Sequence, residues 1–188
     1  MLWPSRIPAA TSGAAAAVAS ALDRSVAVGP AYAGPRLQST FMNESHSSRL
    51  GHGWVAVDAH GHLSAELVGF GTHGVTRGCV KSCMKGIKRL GKQPHSVEGF
   101  FDLRRGYGCS PLAVPILVQF LQEYGSSFAR IAVVASGAPL HISQWVAVAS
   151  RTRQIAFFSQ PEPALAWLER ERSHWDSRSA HPAPALAS

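Results

Sequence analysis

Apolar and polar positions along the chain fall into short periodic runs that begin near Gly53. Trp54, Val55 and Val57 lead into a turn at His60, Gly61 and His62, after which Leu63, Ala65, Leu67 and Val68 alternate with polar residues. This pattern predicts a β-hairpin. Thr72 to Leu90 changes period: Val75, Cys79, Cys83, Ile87 and Leu90 recur at helical spacing and form one stripe, and Gly91 and Pro94 end the helix. Val97 to Leu103, VEGFFDL, is β-branched and aromatic around one glycine and predicts a strand buried in the sheet. Arg104 to Ser110 then breaks the pattern with two glycines and predicts a loop at the carboxyl end of that strand.

The next helix is marked by Ile116, Leu117, Phe120, Leu121 and Tyr124, with Ser110 as N-cap, Pro111 at the first helical position and Gly125 as a stop. Pro115 either kinks its first turn or moves the start downstream, since an interior proline costs about 3 kcal/mol. Ala129 to Ala135 is an apolar run of strand length without polar alternation, expected for a strand covered on both faces. A helix from Pro139 shares Ile142, Trp145, Val146 and Ala149 on one face, Gln154 to Phe158 is a further strand, and Pro161 to Arg172 is the last helix. The element order implies a single α/β domain over residues 51–173: a mixed, mostly parallel sheet with an N-terminal β-hairpin and about four helices.

The flanks carry no such period. Residues 1–41 are poor in pattern and rich in alanine, with Arg6, Arg24 and Arg36 against the single acid Asp23. The expectation is an extension reaching to residue 50 that is disordered or targeting-like, with Met42 as an alternative working start. Residues 174–188 are predicted to be a disordered tail. No apolar run approaches the 18 or so residues that span a bilayer. The cysteines, only three in the chain, make no disulfide framework and favour a reducing, cytoplasmic setting. The formal charge of +7 favours anionic partners.

The strand GFFDL, the glycine-bearing loop and Ser110 at a helix start, followed by RIAVVASGAPLHISQWVAVASRTRQIAFFSQPEPALAWL, resemble the STAS domains, the sulfate-transporter and anti-sigma-factor-antagonist (SpoIIAA-like) family. The resemblance covers about residues 53–173. It implies a binding module without catalytic activity; some members dock a kinase-like anti-sigma partner, are phosphorylated on a serine at this strand-to-helix loop, or bind nucleotides or lipids. Family members typically carry Asp-Ser-Ser-Gly there, whereas this chain has Gly108, Cys109, Ser110 and Pro111.

Ser110 is therefore the candidate phosphoacceptor, with Arg104 and Arg105 near enough in sequence to stabilise added charge, although a simple N-cap is the preferred reading. Asp102, Arg104, Arg105, Tyr107 and Cys109 form the candidate partner-binding loop. Arg77, Lys81, Lys85, Lys88 and Arg89 form a basic stripe with no acid between Glu66 and Glu98 to oppose it. That surface suits an anionic membrane. Nucleic acid is disfavoured, because no aromatic residues interleave for base stacking. Cys79 and Cys83 lie one turn apart and with His60, His62 or His73 would make a metal site, but their place on the apolar stripe favours the core. Neither a metal nor another cofactor is expected. With no HExxH arrangement among the nine histidines and no catalytic triad to be located, the chain is read as a non-catalytic regulatory or protein-interaction module. The alternative is a peripheral membrane module that holds a lipid or other small amphiphile and uses the basic helix.

Overall fold

The computed structural model describes residues 40–91 and 94–179, with side chains described through residue 170. Among the described residues, seven strands form one mixed sheet, accompanied by four α-helices. In chain order these are β1 (Thr40–Ser47), β2 (Gly51–Asp58), β3 (His62–Gly71), α1 (His73–Arg89), β4 (Val97–Asp102), β5 (Gly106–Cys109), α2 (Val114–Tyr124), β6 (Phe128–Val134), α3 (Gly137–Ser150), β7 (Ile155–Phe158) and α4 (Pro161–Ser179). The sheet runs β1-β2-β3-β4-β6-β7, antiparallel at its first two pairings and parallel thereafter.

The predicted hairpin is β2 and β3, and Gly61 closes its turn at φ +86°. A Cβ on Gly61 would also lie 2.5 Å from the carbonyl oxygen of Ser96, so glycine is required there twice over. Period-2 alternation sends Val55, Val57, Leu63, Ala65 and Phe101 to one face, where they meet α1, α2 and α3. Gly86 lets α1 sit close on this face, since a Cβ there would meet a Val57 methyl at 2.5 Å. Ala132 and Val134 point to the other face, which α4 covers with Ala164, Leu168 and Trp167.

The structure corrects the sequence reading in five places. Thr40–Ser47 is a strand inside the stretch expected to be an extension, and Met42 is buried. Its other residues facing α1 are Glu44 and His46, polar side chains satisfied by that helix, so no apolar alternation marks the strand. Residues 1–39 and 180–188 lie outside the described residues. The loop 104–110 contains β5, which continues along β3 beyond the end of β4. GYGC has no alternation to announce it, and its pairing with β3 is made by backbone and by the contact of Tyr107 with Phe70. A short 3₁₀ turn at Pro111–Ala113 precedes α2, so Pro115 falls in its first turn, where its missing N–H costs nothing. The basic stripe is opposed at one point, because Glu44 of β1 pairs with Lys85. Lastly, α4 continues to Ser179, into the predicted tail.

Candidate functional site

The strand-to-helix stretch after β4 is built from committed groups. The Asp102 carboxylate is buried and accepts from the backbone N–H of Arg104 at 3.1 Å, from its Nε at 3.0 Å and from its Nη2 at 2.7 Å. Arg105 Nη1 reaches Glu66 Oε1 at 3.3 Å. Both arginines that follow the strand are thus held by carboxylates. Ser110 Oγ accepts from the backbone N–H of Leu112 at 3.3 Å, the N-cap geometry, and its own N–H donates to the Gly71 carbonyl at 2.9 Å. Tyr107 is 63% exposed, yet its position is fixed: its ring lies 5.9 Å from that of Phe70, and its hydroxyl donates to the Leu50 carbonyl at 3.4 Å. Leu50 and Leu112 are exposed as well.

On the face covered by α1, α2 and α3 the packing is incomplete. A cavity of about 170 Å³ lies between the sheet and these helices, floored by Ala65, Phe101, Ile131 and Val133. Leu117, Phe120 and Leu121 of α2 and Pro139, Ile142 and Val146 of α3 wall it. Ala65 and Leu67, mid-strand in β3, and Phe101, near the end of β4, lie on a helix-covered face and are still only part-buried, because the helices do not close over them. Cys79, Cys83 and Cys109, every thiol of the chain, line this cavity. Cys83 is buried, while Cys79 and Cys109 are part-exposed. Burial pushes the Cys79 thiol up to about 11, and it raises Cys83 and Cys109 as well. These thiols are poor nucleophiles at neutral pH.

The basic stripe Arg77, Lys81, Lys85, Lys88 and Arg89 is exposed along α1, and Lys88 and Arg89 complement the helix dipole in its last turn. At its foot, Ser82 Oγ donates to Glu44 Oε2 at 2.6 Å and lies 2.8 Å from His46 Nε2. The hydrogen bonds from Lys85, first, and Ser82 hold the Glu44 carboxyl below the usual carboxylate range. A hydroxyl has one proton to give. With it directed to Glu44, Ser82 accepts from His46, which is the reverse of a serine activated by a histidine base.

A second polar cluster was missed by sequence reasoning, on the sheet face away from α1. Asp58 Oδ1 accepts from the backbone N–H groups of His60 and His62, both at 2.9 Å, while Oδ2 meets His62 Nδ1 at 2.6 Å. His62 Nε2 faces Glu98 Oε2 at 3.4 Å, and Glu98 Oε1 accepts from Arg130 Nη2 at 3.2 Å. An aspartate closing a strand just before a His-Gly-His turn is the one signal that could have found it. Among the described residues no group of three metal-ligating side chains is placed to hold an ion, and no helix is long and apolar enough to cross a membrane.

The mixed sheet, with helices on its faces and a strand-to-helix loop at the parallel strand ends, defines an α/β domain of the SpoIIAA-like, STAS-like fold. It is similar to the crystal structure of an uncharacterized protein from the DUF3478 family with a SpoIIAA-like fold from Shewanella loihica PV-4. The match has a TM-score of 0.53 and 21% sequence identity, and covers 65% of this chain and 98% of that one. No family model matches the sequence, and no curated protein does.

Proposed function

We propose that the chain is a non-catalytic STAS-like binding module that takes a small apolar or amphiphilic molecule into the cavity under α1, α2 and α3. The supporting observation is the cavity itself, open at mid-strand positions that a closed core would cover and lined almost wholly by apolar side chains. Ligand sites are concave, mostly apolar and carry few polar groups, which is this arrangement. Native mass spectrometry of the protein from its own host is expected to show a mass above that of the chain, released on denaturation. Leu121→Trp, which fills the cavity, should abolish it; a bare chain mass from both proteins would count against the reading.

A second reading, a regulatory module that docks a protein, is supported by Tyr107. An exposed aromatic ring pinned by Phe70 and Leu50 loses little freedom on binding. In the anti-sigma-factor-antagonist form of this reading Ser110 is the phosphoacceptor, and its phosphate would have to draw Arg104 or Arg105 from Asp102 or Glu66. Tyr107→Ala is expected to weaken partner binding at every salt concentration. Charge reversal at Lys81 and Lys88, exposed on α1, should weaken contact with anionic vesicles chiefly at low salt, as the Debye length shrinks from about 10 Å at 0.1 M to about 3 Å at 1 M. Salt titrations of both variants check this, and salt-independent loss from the lysine changes would refute the surface assignment.

A further inference from the structure

The lining of the cavity bounds, by charge and by size, what would fit in it. Among the described residues Glu66 is the only charged one along it, with its carboxylate turned to Arg105, and no lysine, arginine or histidine lines it. A fatty acid or phosphate ester drawn wholly into it, headgroup included, would bring an anion out of water with no cation to meet it, an arrangement that proteins avoid. The volume of about 170 Å³ is near that of an apolar cavity of about 150 Å³ that takes up benzene. It also falls short of the roughly 300 Å³ at which pockets for drug-sized ligands begin. Phe101 and Phe120 offer ring edges and faces, and the thiols present soft, weakly polar surface. Thr76 and Ser143 add hydroxyl groups to the lining, enough for one polar atom on a ligand.

We propose that the cavity takes a neutral, ring-sized hydrophobe of about six to ten non-hydrogen atoms, seated against Phe101, Phe120 and the cysteine thiols, and excludes anionic chains. The inference rests on the cavity being a ligand site, and it specifies the class of ligand.

The thiols supply the readout, because a molecule seated in the cavity covers Cys79 and Cys109. The full chain is labelled with N-ethylmaleimide at about pH 8, where thiols raised by burial react slowly, and adducts are located by mass spectrometry. Labelling is run with toluene, indole or decanoate present. Toluene or indole at about ten times its Kd should slow labelling of both cysteines about tenfold, by mass action, whereas decanoate should not. Ser143→Phe, which narrows the cavity at a part-exposed position, should remove the protection; the measurement on the unsubstituted chain stands without it. Protection by decanoate, alone or together with toluene, would overturn the ligand class and leave the cavity as a ligand site. If none of the probes protects, both the class and the cavity reading fall.

Discussion

Asp58→Ala is expected to destabilise the fold by about 3 kcal/mol, the cost of removing one member of a buried, hydrogen-bonded polar cluster. Asp58 is 1% exposed, and three donors converge on its carboxylate: two backbone N–H groups of the hairpin turn and His62 Nδ1. Alanine leaves all three facing a site that water enters poorly, and His62 then loses the group that orients it toward Glu98. Asp58→Asn keeps the shape and one acceptor oxygen, so it should cost less. Urea unfolding of the two variants checks the order, with the midpoint falling and the slope unchanged. A loss under about 1 kcal/mol for alanine would show that the turn holds its geometry without the carboxylate.

A chain that begins at Gly51 is expected not to fold stably, because the domain starts before its hairpin. Removing β1 exposes the inner edge of β2 along its whole length and strips Met42 from the core. Burying a side chain of that size contributes about 1.5–3 kcal/mol. Each ladder hydrogen bond lost adds about 0.5–1.5 kcal/mol. The sum approaches the entire stability of an ordinary domain, about 5–15 kcal/mol. Thermal melting followed by circular dichroism checks it. A cooperative transition within a few degrees of that of the full chain would place β1 outside the folding unit.

Where one periodicity ruled a segment, the sequence disclosed it. The hairpin, α1, β4 and β6 carry alternating, helically spaced or continuous apolar runs, and their ends lie within three residues of those expected. Residues serving two masters were harder to read. In β1 the inward positions pass from Met42 to Glu44 and His46, so the strand looks polar on both faces. In β5 the pairing is mostly backbone, with Tyr107 against Phe70 as its ring contact, and Gly106 and Gly108 leave no side-chain signature. The loop's residue identities were legible, but the ion pairs that hold Arg104 and Arg105 were not: one partner lies two residues back and the other on β3. The cavity is the furthest from legible, because Cys79, Phe101, Leu121 and Ser143 come from four elements and each resembles an ordinary core or surface residue alone. Cys79 and Cys83 do lie on the apolar stripe, as read, but Cys79 faces a space as well as side chains.

The Glu44, Ser82, His46 and Lys85 cluster also decides how β1 can align. A slip of one residue would turn Glu44 and His46 to the opposite face and bring Asn43 and Ser45 toward α1, stripping Ser82 of both partners. Interior strands are locked in place by the volume of their side chains; in this edge strand the buried Met42 is joined by a charged, hydrogen-bonded cluster. That cluster therefore answers to acidity. Glu44 titrates below its ordinary value, so its contribution is present in full above the ordinary carboxylate pKa and is lost as pH falls through the lowered one. In acid β1 is expected to lose that part of its hold on register, which a fall in its amide protection as pH drops through that range would report.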